Sequence, residues 1–262
     1  MDLGLKGKSA LIAASSKGLG KAIAMELAAE GANVVVSGRN EEQLQKAVAE
    51  IEAVSGGKVA ACAADVTKPE DIQALIQFTA AQQGGIDVLV TNAGGPPAGS
   101  FDDFDDEDWE KAFQLNLLSV IRLIRGALPY MRGKKAGRIV NLASSSFKQP
   151  IDNLILSNTF RTAVVGLSKS LAVELGKDGI LINTIGPGRI STDRIVALDR
   201  ANAKKTGLSP NEVRSRNTGQ IPLGRYGTPE EFAKVVAFLV SEANTYVTGQ
   251  AFLVDGGMVK SI

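Results

Sequence analysis

The stretch SSKGLG at residues 15–20 has the residue types and spacing of a phosphate-binding turn. It follows an apolar run, SALIAA (9–14), and leads into the amphipathic stretch KAIAMELAAEG. Gly18 and Gly20 let the backbone approach a pyrophosphate, and the start of a helix supplies free amide groups and a partial positive charge. A plain glycine-rich turn is the alternative. Between a first strand and a first helix, however, the glycine pair predicts a dinucleotide-binding turn.

Two cations beside this turn indicate which nicotinamide dinucleotide it would bind. A site for NAD usually places an acidic side chain at the end of the second strand, where it holds the ribose 2′-hydroxyl. Here the second apolar run ends in Gly38 and is followed by Arg39, while Lys17 precedes the first glycine of the turn. Two cations without a carboxylate suit a 2′-phosphate. We therefore predict NADP(H) rather than NAD(H); the alternative is that both cations are simply solvated.

The composition restricts the chemistry that the protein can perform. The chain has 262 residues, no histidine and one cysteine, Cys62, which lies in an apolar run and is predicted to be a small core residue. Acid–base steps must therefore use hydroxyls, carboxylates, lysines or water, and neither a disulfide nor a metal site is expected. Lysine and arginine number 29 against 28 for aspartate and glutamate, which argues against a nucleic-acid partner.

The sequence also bears on where the protein works. Its first residues lack the layout of a signal peptide, and no stretch approaches the roughly 20 apolar residues of a membrane span. Hydrophobic residues make up 44% and charged residues 22%, as in ordinary globular proteins. We expect a soluble, cytoplasmic protein with no membrane partner.

The elements that must position these residues alternate regularly along the chain. Apolar runs predict seven strands, at 9–14, 33–38, 58–65, 87–94, 137–144, 180–188 and 250–257. Amphipathic stretches predict helices at 18–30, 40–54, 69–83, 106–132, 154–177 and 229–242. This alternation favours an α/β fold, a Rossmann-like, doubly wound parallel sheet of seven strands with helices on both faces. We expect residues 1–262 to form a single dinucleotide-binding catalytic domain.

Residues 189–225 interrupt this alternation. The segment is polar, contains scattered glycine and proline, and predicts only short helical pieces. A long excursion after a strand's carboxyl end is usually functional, so we predict a substrate lid. The segment holds eight cations against three acids, which favours an acidic group such as a carboxylate, a coenzyme A phosphate or an acyl-carrier protein. Surface solubility is the alternative.

Several short motifs, in order along the chain, carry a resemblance to a known family. They are AASSKGLG (13–20), Asp65–Val66, NAG (92–94), NLLSV (116–120), GRIVNLASS (137–145), GPG (186–188) with Thr192, and TGQAFLVDGG (248–257). With these motifs the sequence resembles the short-chain dehydrogenase/reductase family over essentially its whole length. It is most similar to the bacterial 3-oxoacyl-carrier-protein reductases and their divergent relatives.

The resemblance implies a set of cofactor-binding residues. These are Ser15, Ser16, Lys17, Gly18, Leu19 and Gly20 in the first loop, Arg39, Asp65, Val66, Asn92, Ala93, Gly94, Pro187, Gly188 and Thr192. Asp65 is expected to accept a hydrogen bond from the adenine amine, and Asn92 to line the ribose side. One departure comes early, because Ala13–Ala14 replaces the family's Thr-Gly. A positive φ would strain an alanine, so the loop is expected to keep its shape if Ala14 has an ordinary φ, at some loss of cofactor affinity.

The resemblance also implies four catalytic positions, and two of them are changed here. The family's serine and asparagine correspond to Ser144 and Asn116. Its tyrosine, which passes the proton, is replaced by Ser157, and its lysine, which binds the nicotinamide ribose, by Arg161. Residues 157 and 161 are one helical turn apart and share a helix face. Arginine stays charged and cannot relay a proton as lysine might, and a serine hydroxyl is a far weaker acid than a phenol.

Three functions remain compatible with these residues. The leading one is an NADP(H)-dependent reductase of a 3-oxoacyl group or another small ketone, with an altered proton donor. The second is a nucleotide-binding protein of the same fold with little or no turnover. The third keeps the cofactor but uses the pocket for other chemistry. A plain solvated helix face is the alternative interpretation of SNTFR (157–161).

The long predicted helices 106–132 and 154–177 carry apolar residues on more than one face. One stripe can cover the sheet, and the other needs a partner. We therefore predict a homo-oligomer, and specifically the homotetramer that the resemblance implies.

Overall fold

The computed structural model describes residues 2–261, and its seven strands form one sheet. The strands are β1 (Ser9–Ile12), β2 (Asn33–Gly38), β3 (Val59–Ala63), β4 (Val88–Thr91), β5 (Gly137–Leu142), β6 (Ile180–Pro187) and β7 (Ala251–Val254). Their order across the sheet is β3-β2-β1-β4-β5-β6-β7, and every pairing is parallel. The predicted α/β fold, with a seven-stranded parallel sheet, is confirmed.

Helices cover both faces of the sheet. They are α1 (Gly18–Ala29), α2 (Glu41–Glu52), α3 (Pro69–Gln83), α4 (Asp106–Phe113), α5 (Ser119–Lys134), α6 (Ile155–Leu175), α7 (Asp193–Thr206), α8 (Pro210–Thr218) and α9 (Pro229–Val240). A π-helical turn, Gln114–Leu118, joins α4 to α5. None of the helices in residues 2–261 is both long and apolar enough to cross a membrane.

Local signals in the sequence fix several helix ends. The side chains of Asn40 and Asp105 accept hydrogen bonds of 2.8 and 3.0 Å from backbone N–H groups three residues further on, and so cap α2 and α4. Pro69 begins α3, where its missing N–H is not needed. Gly84 ends that helix with a φ of 73°, a left-handed conformation that glycine adopts without strain.

Alternate residues of each central strand point to opposite faces of the sheet and build two cores. On β1, Ile12 packs into the core under α1 and α9, whose centre includes Phe232. Leu11, the residue before it, packs into the core under α3 and α5, together with Leu89 and Leu123. Because the central strands are buried on both faces, they are apolar throughout rather than alternating.

Three expectations from the sequence need correction. Most strands end earlier than predicted: β1 at Ile12, β4 at Thr91 and β5 at Leu142, because the next residues leave the sheet and enter loops. The segment 189–225 contains not only short helical pieces but the 14-residue α7, followed by α8. Cys62 is only partly buried, because β3 lies at the edge of the sheet.

The strand order creates a crevice at the carboxyl ends of the strands, which form one edge of the sheet. The chain runs outward from β1 to β2 and β3, then returns to place β4 on the other side of β1. Loops after β1 and β4 therefore diverge, and ligands bind at such a switch point in open α/β sheets. The loops after β1, β4, β5 and β6 all open on this edge and carry most of the residues singled out above.

Candidate active site

The loop between β1 and α1 is open on one side and tightly packed on the other. Gly18 has a φ of 59°, and a β-carbon there would meet no other atom within 4 Å. At Gly20 a β-carbon would lie 2.7 Å from the carbonyl oxygen of Ala14 and 2.8 Å from Cα of Ser15, so only glycine fits. The loop thus presents open backbone at the start of α1, which fits a pyrophosphate.

Ala14 does not have the ordinary φ that we expected. Its φ is 47°, in the left-handed region, where a β-carbon costs roughly 1–2 kcal/mol. Its N–H donates to Oγ of Ser37 at 3.1 Å, and its carbonyl accepts from the amide of Asn92 at 3.0 Å. Ser15 braces the same corner, donating from Oγ to the carbonyl of Ile12 at 2.6 Å. The condition of an ordinary φ is therefore not met, because these neighbours impose the backbone conformation against alanine's own preference.

Two cations flank the end of β2. Lys17 and Arg39 are both exposed, and neither forms an ion pair within residues 2–261. A β-carbon at Gly38 would lie 2.9 Å from Oγ of Ser16, so an acidic side chain there would require Ser16 to move. The place where an NAD site holds its carboxylate is therefore occupied by glycine here, and two exposed cations lie near it.

Asp65 follows β3 and lies in the field of Arg39. Its Oδ1 accepts hydrogen bonds from the N–H and Oγ1 of Thr67, at 3.0 and 2.8 Å. Burial by itself raises the pKa of Asp65, but the bonds from Thr67 and the charges of Arg39 and Lys68 lower it overall. Val66, the next residue, is buried. Asp65 is therefore an ionised acceptor beside a cationic patch, and Lys68 is a member of that patch that sequence reasoning missed.

Asn116 lies in the π-helical turn and is fully buried. Its Nδ2 donates to the carbonyl of Gly94 at 2.8 Å. Its Oδ1 is buried without a hydrogen-bond partner among the residues that the structure describes. A buried acceptor of this kind is rare in folded proteins, and π turns often occur at functional sites. The free oxygen is placed to accept a hydrogen bond from a water molecule or a ligand.

Three consecutive serines follow β5. Oγ of Ser144 accepts a hydrogen bond of 3.2 Å from the N–H of Ser146. Ser144 thereby caps a short 3₁₀ turn, Ser145–Phe147. Ser145 and Ser146 are buried, and Oγ of Ser146 has no partner within residues 2–261. The end of β5 is therefore rich in hydroxyls, with Ser144 the least buried of the three.

Ser157 and Arg161 are buried on one face of α6, with exposed fractions of 8% and 5%. Nη1 of Arg161 donates to the carbonyl of Leu142 at 2.9 Å, and Nη2 donates to the carbonyl of Ala93 at 3.4 Å. Burial, and to a smaller extent the charge of Arg194, lowers the pKa of Arg161 to about 10. The stretch is therefore not a solvated helix face, and Arg161 remains a cation at neutral pH between the ends of β4 and β5.

The loop after β6 is held against the last strand. The N–H of Gly188 donates to the carbonyl of Val254 at 2.9 Å. A β-carbon at Gly188 would lie 2.5 Å from Cβ of Asp255, so a larger residue would push the loop away. Pro187 ends β6, and Thr192 is the residue before the first turn of α7.

A buried polar cluster ties the segment 189–225 together. Oδ1 of Asp199 accepts from Nη1 of Arg189 and from Nδ2 of Asn217, each at 3.0 Å. Its Oδ2 accepts from the hydroxyl of Tyr226 at 2.8 Å. The guanidinium of Arg214 stacks over the Tyr226 ring, 4.5 Å from its centroid. The hydroxyl of Tyr226 is committed to Asp199.

Comparison with known proteins assigns the chain to a family. A family model described as Enoyl-(Acyl carrier protein) reductase matches residues 13–259. The chain belongs to the short-chain dehydrogenase/reductase family. The uncharacterized oxidoreductase YvrD of Bacillus subtilis is 33% identical, with 100% of both chains covered. The 3-oxoacyl-(acyl-carrier-protein) reductase of Vibrio cholerae is 35% identical, with 98% of this chain and 99% of that protein covered.

A solved structure shows the same architecture. L-sorbose reductase from Gluconobacter frateurii, complexed with NADPH and L-sorbose, superposes with a TM-score of 0.95 at 35% identity, covering 100% of both chains. The resemblance to the short-chain family that the motifs indicate is therefore confirmed. Members of this family are oxidoreductases.

Some residues near this site lie outside the sequence motifs of the short-chain family. Arg194 comes from the first turn of α7, and its Nη2 donates to the carbonyl of Pro96 at 3.2 Å. Asn217 and Asp199 are buried together in the segment 189–225. The cation excess of that segment was visible in the sequence, but which of its cations approaches the crevice depends on how α7 folds back.

Proposed function

We propose that this chain is an NADP(H)-dependent reductase of a carbonyl group, on a 3-oxoacyl-type substrate or another small ketone, with an altered proton donor. The observation that supports it most is the placement of Arg161, fixed by the carbonyls of Leu142 and Ala93 where β5 and β4 end. Asn116 donates to the carbonyl of Gly94, the residue after Ala93, and its buried Oδ1 has no partner within residues 2–261. A buried cation and an unsatisfied acceptor both cost stability, so their retention supports a function for this site.

The cofactor is NADP(H), as in the L-sorbose reductase structure complexed with NADPH. Lys17 and Arg39 bind the 2′-phosphate, and the first loop (15–20) binds the pyrophosphate. Asp65 accepts from the adenine amine beside Val66. Asn92, Ala93 and Gly94 line the ribose side, and Pro187, Gly188 and Thr192 hold the nicotinamide. When bound, NADPH supplies the hydride that reduces the carbonyl carbon.

The chain's own residues supply the proton and stabilise the developing charge. Ser144 donates a hydrogen bond to the substrate oxygen and polarises the carbonyl. Ser157 is too weak an acid to replace a phenol, so it holds a water molecule that delivers the proton to that oxygen. The free Oδ1 of Asn116 accepts a hydrogen bond from water and so refills this relay. Losing a positioned acid typically lowers the rate 10²–10⁴-fold, so turnover is slow unless the substrate fits this site closely.

Arg161 acts as a fixed charge rather than as a proton carrier. Its pKa is lowered by burial only to about 10, so Arg161 stays charged at neutral pH. Its positive charge binds the nicotinamide ribose and stabilises negative charge that develops on the substrate oxygen. The substrate itself is small or acyl and anionic, in keeping with the cations of the lid, residues 189–225.

A nucleotide-binding protein with little or no turnover is the second candidate. The replacement of the family's tyrosine by Ser157 favours it, because no other phenol is available: Tyr226 is bonded to Asp199. It differs from the first candidate in one respect only, the absence of hydride transfer.

One experiment separates the two candidates. NADPH binding is followed by the change in its fluorescence. Its oxidation by a panel of ketones and oxo acids is then followed by the loss of absorbance at about 340 nm, where only the reduced cofactor absorbs. Tight binding with oxidation of NADPH by at least one carbonyl supports the reductase. Binding without oxidation in single-turnover reactions supports the second candidate, and no NADPH binding contradicts both.

A homotetramer is the assembly that we propose for the reductase. Val173 on α6 and Phe101 just before α4 are large apolar side chains with exposed fractions of 84% and 68%. A second copy covering α4, α5 and α6 would bury them. Light scattering at micromolar protein concentration measures the mass, and a monomer contradicts this assembly.

A further inference from the structure

Arg161 is a buried cation without an acidic partner. It is 5% exposed, and both of its hydrogen bonds go to backbone carbonyls. No aspartate or glutamate within residues 2–261 forms an ion pair with it. A buried charge is costly unless an opposite charge or several hydrogen bonds compensate it. The site therefore keeps a positive charge for which the described part of the chain provides no counterion.

A second guanidinium reaches the same stretch of chain from α7. Nη2 of Arg194 donates to the carbonyl of Pro96 at 3.2 Å, and a β-carbon at Gly95 would overlap its guanidinium. Arg161 is bonded to Ala93, three residues before Pro96, and three extended residues span at most about 11 Å. The two cations are close enough that the charge of Arg194 contributes to lowering the pKa of Arg161. Arg194 likewise forms no ion pair with any described residue.

The acid on the same helix as Arg194 does not neutralise this pair, because Asp199 is committed to Arg189, Asn217 and Tyr226. The 2′-phosphate of NADP(H) is assigned to the end of β2, two strands away from β4 in the sheet. Arg161 lies at the ends of β4 and β5, where no acid within residues 2–261 compensates its charge. This leaves a place for an anionic group of the substrate.

We propose that Arg161 and Arg194 form a carboxylate subsite, and that the preferred substrate of the reductase is a small oxo acid. This inference rests on the proposed function and specifies its substrate class. Arg194 presents a planar fork of N–H donors that matches a carboxylate, while Arg161 contributes a fixed field from the wall of the site. Because Arg194 belongs to the segment 189–225, a bound carboxylate joins this lid to the loop after β4.

The small side chain of Ser157 fits this proposal. Ser157 is one turn from Arg161 on the same face of α6 and is much smaller than the tyrosine that the family places there. In the proposed complex the carboxylate lies on the Ser157 side of Arg161 while Ser144 polarises the oxo group. A neutral ketone of the same shape leaves the two cations uncompensated and binds more weakly.

Binding of a carboxylate that cannot be reduced tests the subsite without turnover. Calorimetric titrations compare butanoate with butanamide, each with and without NADPH, on the wild type and on Arg194→Gln. We expect butanoate to bind the wild type, butanamide to bind at least about 10-fold more weakly, and Arg194→Gln to remove that preference, since hydrogen bonds to charged groups contribute about 1.5–3 kcal/mol. Absence of butanoate binding under both conditions overturns the subsite.

Matched substrates give a second, independent measurement. Oxidation of NADPH is compared for 3-oxobutanoate and its methyl ester. Arg194→Gln should raise KM for the acid about 10- to 100-fold and leave the ester unchanged, and Arg194→Lys should restore part of the loss. Lys177→Gln removes an exposed cation outside the segment 189–225 and should change the use of neither substrate.

The outcomes separate this inference from the proposed function. Equal use of acid and ester, or an equal loss on both in Arg194→Gln, overturns the carboxylate subsite and leaves the reductase intact. Butanoate binding that needs Arg194, without oxidation of NADPH by any carbonyl, supports the subsite and contradicts the reductase.

Discussion

The hydroxyl of Tyr226 donates a hydrogen bond of 2.8 Å to Oδ2 of Asp199, 27 residues earlier in the chain. Both side chains are buried, with exposed fractions of 4% and 6%. The bond joins the loop before α9 to α7, and Asn217 of α8 binds the other oxygen of the same carboxylate. The side chain of Asp199 therefore joins the two helices of the segment 189–225, α7 and α8, to the loop before α9.

Removing this hydroxyl should destabilise the segment 189–225. Tyr226→Phe leaves a buried carboxylate oxygen without its donor, so we expect a loss of about 1–3 kcal/mol in the free energy of unfolding, measured in urea. Tyr246→Phe is the matched control, because Tyr246 is 96% exposed, and it should change stability little. Equal effects of the two changes would show that the Asp199 bond does not contribute to stability.

The strained backbone at Ala14 gives a change that should stabilise the protein. Ala14→Gly removes the β-carbon that a φ of 47° disfavours, so we expect a gain of about 1 kcal/mol in urea unfolding. Affinity for NADPH should be kept or improved, because the loop conformation stays the same. Ala13→Gly, next to it and without a positive φ, should destabilise by adding freedom to the unfolded chain. A loss of stability in Ala14→Gly contradicts the strain.

Cofactor preference should depend on Arg39. Arg39→Asp replaces an attractive charge by a repulsive one at the 2′-phosphate, so NADPH should bind about 10- to 100-fold more weakly, while NADH changes less. Fluorescence titration with both cofactors gives the ratio. Lys58→Asp makes the same change of charge at an exposed cation before β3 and should leave the ratio unchanged. A wild type that binds NADH as tightly as NADPH would show the cofactor assignment to be wrong.

The environment of Arg161 should make a lysine there sensitive to pH. Burial lowers the pKa of a cation, and a lysine begins from about 10.4 rather than 12.5. In Arg161→Lys the folded state should therefore release its proton at a lower pH than the unfolded chain. At a pH below the pKa of this lysine in the folded state, the buried charge destabilises the variant fully. As pH rises from there toward its pKa in the unfolded state, the folded state loses the proton and the destabilisation decreases. The variant should thus gain stability relative to wild type from pH 7 to pH 9.5 in urea unfolding, and a constant difference contradicts this.

The double variant Ser157→Tyr, Arg161→Lys restores the family's usual acid and its lysine. If the wild type is a slow carbonyl reductase, the double variant should oxidise NADPH faster with generic ketones, within the 10²–10⁴-fold that a positioned acid supplies. Ser157→Tyr alone should gain less, because Arg161 is bulkier and cannot relay a proton.

A specialised wild type gives the opposite result on its own substrate. There the double variant should lose activity, because the phenol fills the space beside Arg161. A double variant that binds NADPH normally but changes no carbonyl reaction would contradict both versions and favour the nucleotide-binding protein.

The sequence by itself determined the sheet and the position of the glycine-rich loop between β1 and α1. Seven apolar runs gave seven strands, and the run NVVVSG matches β2 in both bounds, because a strand buried on both faces needs apolar residues throughout. The helix 69–83 was also predicted in both bounds, since Pro69 and Gly84 act through backbone geometry that is local to the chain. Such signals need no knowledge of distant contacts.

Only the tertiary structure decided what Ala14 and Arg161 do. The positive φ of Ala14 is imposed by Ser37 and Asn92, which are 23 and 78 residues away. The partners of Arg161 are backbone carbonyls that every residue type carries, so nothing in the sequence marks Leu142 or Ala93 as its acceptors. The approach of Arg194 to Pro96 likewise spans 98 residues. The charged residues of the site can be identified from the sequence. Which of them lack a counterion depends on contacts between residues far apart in the chain.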